Sequence, residues 1–178
     1  FREMIVYFGQ SPIIVRSSSV LEDAYGNAFS GKYESVFCAN QGDPEQRLIA
    51  LMDAIKAVYS STYTKTALSY REHRGLLHSK SEEMAVLVQR VSGTNFGERY
   101  FPHAAGVAYS FNPFVWNKRI DPSSGAIRLV FGLGTRAVEN EGGEYTRIVA
   151  LNEPLLRPES SLDEVRKYSQ QTVDILHL

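Results

Sequence analysis

Residues 43–61, DPEQRLIALMDAIKAVYSS, read as a helix, and that helix constrains everything around it. The Asp43 side chain can accept from the first free amides, and Pro44 suits the first helical position. Leu48, Leu51, Met52, Ile55, Val58 and Tyr59 define its apolar face. A helix that is apolar on one side must cover an apolar surface elsewhere in the chain. The runs that flank it are PIIVRSSS from Pro12, YESVFCA from Tyr33 and EMAVLVQRV from Glu83. They are rich in β-branched residues and read as strands. EMAVLVQRV is too short and too apolar for a surface helix and is expected as a buried strand.

The remaining segments extend this pattern. Residues 1–9 read as the end of a helix, and KTALSYREHR reads as a second helix that stops at Gly75, a residue suited to the left-handed C-terminal cap. AAGVAYSFN, AIRLVFGL and RIVAL are further strands. After the proline-broken NEPLLRPES, the capping box Ser161 to Glu164 opens a last helix. Residues 94–104 and 114–126 read as surface excursions. The fold class is α+β, with mixed or antiparallel sheets and a helical pair in two lobes.

Bulk properties exclude several classes of function. A chain of 178 residues is long enough for a core of its own, and 43% hydrophobic with 22% charged residues is globular composition. With 19 Lys+Arg against 20 Asp+Glu, the net charge of −1 gives no reason to expect a nucleic acid or an anionic membrane as partner. No run approaches the length of a membrane span and no cleavable signal is visible, so a soluble, cytoplasmic protein is expected. The lone Cys38 lies in a β-prone run and reads as a small buried hydrophobe, which fits a reducing compartment. His73, His78, His103 and His177 show no metal-ligand spacing, so no metal site is expected within the chain. A start at Phe1, inside a helical pattern, points to a piece of a longer protein.

Three segments carry possible chemistry. YGNAFSGKYES places Gly26 and Gly31-Lys32 at Walker A spacing, but Tyr33 stands where Ser or Thr is needed, and a strand rather than a helix follows. A glycine-rich loop between strands can still cover phosphates, or be an ordinary hairpin. FGLGTRA fits a dinucleotide fingerprint with Glu153 downstream, yet Gly142-Gly143 cuts the following helix short, and a glycine-rich strand end where two backbones pack closely explains it better. VRSSS puts Arg16 at the polar end of an apolar strand, where a planar guanidinium can bind two phosphate oxygens.

Taken in order from about Pro12 to Pro158, these segments resemble the nucleotide-binding module of the phosphoenolpyruvate synthase and pyruvate phosphate dikinase family. VRSSSVLED resembles the family's V-R-S-S-A-x-x-E-D, and FSGKYES stands where F-A-G-Q-Q-E-T is typical. SYREHRG resembles A-x-x-Y-R-x-x-x-G, and MAVLVQRV resembles A-V-x-V-Q-x-M-V. AGVAYSFNP and FGLGTRAV resemble S-G-V-x-F-T-x-N-P and G-L-G-E-x-V-V.

The resemblance implies an ATP-grasp-like fold, incomplete at both ends, in which residues 1–178 form a partial ATP-binding domain with lobes near 1–91 and 92–178. It implies Arg16 as the catalytic contact to the nucleotide phosphates, with Ser30, Gly31 and Lys32 in the cover above them. The main chain of Gln89, Arg90 and Val91 would receive the adenine. ATP, with Mg²⁺ whose ligands would lie beyond Leu178, gives its β-phosphoryl group to a histidine on a swivelling domain, and that phosphohistidine then phosphorylates pyruvate bound to a further domain. The isolated piece would be inactive. Thr135 stands where the family has Glu, and Lys32 and Tyr33 replace two amides, which leaves open a non-catalytic or regulatory nucleotide-binding module. A dinucleotide-binding protein is the more distant rival.

Overall fold

The computed structural model of the chain describes residues 1–22, 31–76, 83–138 and 145–178. They divide into two units, Phe1–Val91 with Leu178, and Ser92–His177. All strand pairings among the described residues are antiparallel.

In the first unit, β1 (Ile13–Ser19) is the central strand, with β2 (Ser35–Cys38) on one side and β3 (Met84–Arg90) on the other. The helices α1 (Arg2–Phe8) and α2 (Pro44–Ser61) supply the cover. Ile5 and Phe8 of α1, Ile13 and Val15 of β1, Cys38, and Leu48, Leu51, Ala54 and Val58 of α2 form one buried cluster. Each large aliphatic side chain buried there contributes about 1.5–3 kcal/mol of transfer free energy. Cys38 is buried as expected, and burial pushes its thiol pKa up. The buried stripe of α2 differs from the expected face: Met52 and Tyr59 are 39% and 46% exposed, while Arg47, Ala54 and Ser61 turn inward. Residue size explains the rotation, because Ala54 lets the helix axis approach the sheet where a larger side chain would hold it away.

Arg47 earns its buried place by donating to the carbonyl oxygens of Ile5 and Gly9 at the end of α1. Asn40, in the left-handed region at φ 57°, donates to the carbonyls of Gly9 at 2.8 Å and Ser11 at 2.7 Å. These bonds satisfy carbonyls that a helix end leaves open and fix where β1 begins. Asp43 caps α2, its carboxylate accepting from the amides of Glu45 at 2.9 Å and Gln46 at 3.1 Å. Asp43→Ala is therefore expected to cost about 1 kcal/mol, read as a lower urea midpoint with an unchanged m-value.

The second helix, α3 (Lys65–His73), ends as expected. Gly75 sits at φ 66°, with Leu76 N–H donating to Arg71 O at 2.8 Å and Gly75 N–H to Glu72 O at 2.9 Å. This pair of bonds is the Schellman arrangement. The expectation that EMAVLVQRV is buried fails: β3 alternates, with Leu87 44% exposed. The helices cover one face of this sheet, and apolarity of the run did not distinguish one covered face from two.

In the second unit, β6 (Ala105–Tyr109), β7 (Ala126–Val130) and β8 (Arg147–Ala150) form one sheet in that order. A second small sheet corrects the reading of residues 94–104 as an excursion. There β4 (Thr94–Phe96) and β5 (Arg99–Phe101) form a hairpin that pairs with β9 (Leu176–His177). The Phe96 and Phe101 rings stack at 4.6 Å and Phe131 meets Phe101 edge-on at 5.5 Å, which gives these short strands an apolar anchor. The helix α4 (Thr135–Val138) is a single turn, and α5 (Leu162–Lys167) follows the Ser161 cap. Gly142 and Gly143 lie outside the described residues. Among the described residues, no helix is long and apolar enough to cross a membrane.

Candidate functional site

The first sheet leaves one face open, and strand register decides which side chains share it. Residues directly opposite across an antiparallel pair project to the same face. Arg16 stands opposite Ser35 of β2 and Leu87 of β3, while Ile14 stands opposite Phe37 and Gln89. Ile13, Val15 and Cys38, the buried residues of these strands, belong to the other face. The open face therefore gathers Arg16, Ser18, Ser35 and Gln89 with Ile14, Phe37 and Leu87, a permanent cation and polar groups beside an apolar wall.

Arg16 is exposed and makes no hydrogen bond or ion pair to any described residue. The hydroxyls after it divide by face. Ser17 Oγ donates to Glu22 Oε1 at 2.8 Å, Ser19 N–H donates to Glu22 Oε2 at 3.1 Å, and Glu22 N–H returns to Ser19 Oγ at 3.2 Å. That clasp closes the end of β1 and leaves Ser18 with Arg16. Ser35 was not singled out from the sequence as a site residue. The signal that finds it is the pairing of β1 with β2, which a one-dimensional reading does not contain.

The other expected contacts are placed unevenly. Ser30 lies outside the described residues, as do Gly26 and Asn27. Gly31 adopts φ 75° with open space around its α-carbon, so the chain can pass close to a ligand there. Lys32 holds its ammonium 5.8 Å from the centre of the Tyr70 ring, directed toward α3. Tyr33 is 5% exposed and packs with Ala67, Leu21, Tyr70 and Met84. The residue at the Walker A hydroxyl position is thus a core residue.

At β3, Gln89 projects from the open face, but the Arg90 guanidinium turns to α1, donating to Tyr7 O at 2.8 Å and lying 5.0 Å from the Tyr7 ring centre. The main chain follows its own parity. Val91 N–H donates to Pro12 O at 2.9 Å and Val20 N–H to Glu83 O at 3.4 Å, so both ends of the β1–β3 ladder share one phase. Gln89 and Val91 consequently turn their amides toward β1. Arg90 alone of the three presents its main-chain N–H and C=O to the outer edge, where β3 pairs with no other described strand.

This face fits a nucleotide in kind: a guanidinium and hydroxyls for phosphate oxygens, an apolar wall and an unpaired strand edge for a base. It does not fit a metal ion, because none of the residues gathered on it carries a carboxylate. Among the described residues, no group of His, Cys, Asp and Glu could hold a metal.

In the second unit, the FGLGTRA segment is clasped by the chain's last described stretch. Gln170 accepts from Phe131 N–H and donates to Phe131 O, both at 2.8 Å. Asp174 accepts from Thr135 Oγ1 at 3.1 Å and pairs with Arg136 Nε at 2.8 Å. Gly132 lies against Val173 and Asp174, the close backbone approach expected of a glycine-rich strand end. The glycines serve packing there, and Thr135 is committed to Asp174.

Residues 1–177 match the family described as pyruvate phosphate dikinase, AMP/ATP-binding domain. The chain is 28% identical over 124 residues to rifampicin phosphotransferase of Streptomyces sviceus, and equally to that of Bacillus subtilis. Each alignment covers 70% of this chain and 12% of the relative, so the chain spans a small part of the curated relatives it matches. It belongs to the AMP/ATP-binding domain family of pyruvate phosphate dikinase.

Proposed function

We propose that the chain is the ATP-binding part of a multidomain phosphotransferase with an ATP-grasp-like organisation, its lobes near residues 1–91 and 92–178. The single observation that carries this is the exposed Arg16 on the open face of the first sheet, its side chain unpaired among the described residues, within a chain that matches an ATP-binding family over residues 1–177. ATP, when bound with Mg²⁺, supplies the phosphoryl group that is transferred. Arg16 binds phosphate oxygens through its two-pronged guanidinium, and the Ser35 hydroxyl donates beside it. Gly31 carries the cover close to the phosphates, with Ser30 and Lys32 as its neighbours. Ile14, Phe37 and Leu87 exclude water from the nucleotide, and the main chain of Arg90 at the edge of β3 takes the adenine edge.

The parent protein transfers phosphate from ATP to a histidine on a swivelling domain, and from there to pyruvate, in a cytoplasmic reaction. A second acceptor, rifampicin, is supported by the likeness to the two rifampicin phosphotransferases. The test uses the full-length protein and ATP labelled in turn at the β- and γ-phosphate. The expected result is acid-labile, base-stable label on the protein from the β position, discharged by pyruvate in the first reading and by rifampicin in the second. Tight ATP binding with no label on protein would favour a non-catalytic, regulatory module. Binding of NAD in preference to ATP would overturn the proposal.

A further inference from the structure

A cavity of about 280 Å³ in the second unit is lined by Tyr145, Thr146, Ile148, Pro158, Glu159, Glu164 and Tyr168. It lies between the edge of β8 and α5. Its volume falls just below the roughly 300–1,000 Å³ of pockets for drug-sized ligands, so an occupant has few heavy atoms. The Tyr145 and Tyr168 rings meet at 4.9 Å and 86°, which makes two perpendicular aromatic walls. Tyr168 already engages a cation, since Lys167 Nζ lies 5.1 Å from its ring centre.

Two carboxylates complete the lining among the described residues, and Lys167, outside that lining, acts on Glu164 through its charge. Hydrogen bonds from the Ser160 side chain and amide hold the Glu164 carboxyl below the usual carboxylate range, so it is ionised at neutral pH. Glu159 is half-buried and has no hydrogen bond or ion pair to a described residue. Arg147 and Arg157 line an adjoining cavity of about 200 Å³ that shares Tyr145, Glu159 and Tyr168, yet neither pairs with Glu159.

We infer that this cavity is a binding site for a small organic ammonium ion. An anion would meet two carboxylates, and an apolar ligand would desolvate Glu159 without compensation. A bare metal ion would leave both rings unused. An ammonium group uses all of this lining except Thr146: charge against Glu159 and Glu164, the rings of Tyr145 and Tyr168, and alkyl contact with Ile148 and Pro158.

The experiment is calorimetric titration of the full-length protein with choline and with 3,3-dimethyl-1-butanol, which has the same shape without the charge. Choline is expected to bind at least about tenfold more tightly than the alcohol, as the cation–π and ionic terms require. Glu159→Gln, an isosteric change at a partly exposed position, is expected to weaken choline about tenfold while ATP binding is retained, and Tyr168→Leu to weaken it similarly. Absence of choline binding at millimolar concentration, equal binding of the two ligands, or unchanged affinity in Glu159→Gln would each overturn the assignment.

Discussion

Replacing Arg16 by alanine in the full-length protein is expected to slow phosphorylation of the protein by ATP by about 10² or more. One preorganised donor to a reacting phosphate contributes about 3 kcal/mol, and that is two orders of magnitude in rate. The structural grounds are specific. Arg16 lies on the central strand, its side chain on the open face opposite Ser35 and Leu87, with no partner to lose among the described residues. Its removal leaves no cavity and no unpaired buried group, so stability should hardly change. Arg16→Lys keeps the charge but loses the planar fork, and should recover only part of the rate. Transfer from the phosphorylated protein to the acceptor takes place at other domains and should be nearly unaffected. Separate measurement of the two half-reactions decides the matter: an unchanged first step removes Arg16 from the site, and equal losses in both indicate a folding defect.

Gly132→Ala is expected to destabilise the second unit by about 3 kcal/mol or more. Two penalties coincide at this residue. Its φ of 91° strains any side chain, and an added Cβ would stand 2.5 Å from Val173 Cγ1 and 2.6 Å from the Asp174 carbonyl oxygen. The strain costs on the order of 1–3 kcal/mol. Forcing apart the clasp that joins Leu133 N–H to Asp174 O at 2.9 Å costs about as much again. Gly97→Ala separates the two contributions, because Gly97 has φ 66° with nothing within 4 Å of the added atom. That control should lose roughly 1–2 kcal/mol. Native-state hydrogen exchange of the β6–β8 amides reads both values within the full-length protein. Equal losses would mean that the approach of residues 173 and 174 is soft.

Local chemistry was legible wherever the cause of structure lies within a few residues. Asp43-Pro44 opens α2 and Gly75 closes α3 through contacts made inside their own turns. The apolar-to-polar change along β1 anticipated the exposure of Arg16 for the same reason. What could not be read depends on distant partners. Strands of three residues such as β4 and β5 are too short to show a period, and their third strand, β9, comes from the far end of the unit. Ser35 joins the open face only through its register with Arg16. The Arg90 side chain left it because Tyr7, in a separate helix, offers both a carbonyl and a ring face. The exposure of β3 was missed because apolarity reports that a face is covered and does not say how many.

The phase of the β1–β3 ladder carries a consequence for how this chain can vary. Under the proposed assignment the adenine edge reads main-chain atoms of β3, and any residue but proline supplies those atoms equally. Side chains at positions 84, 86 and 88 then serve the core and that of Arg90 serves α1. Length is not free in the same way. A single residue inserted or deleted between Glu83 and Val91 exchanges the two sets of amides and turns the outward groups toward β1. Related sequences that keep the nucleotide should therefore drift in composition across this strand while conserving its spelling length to the residue.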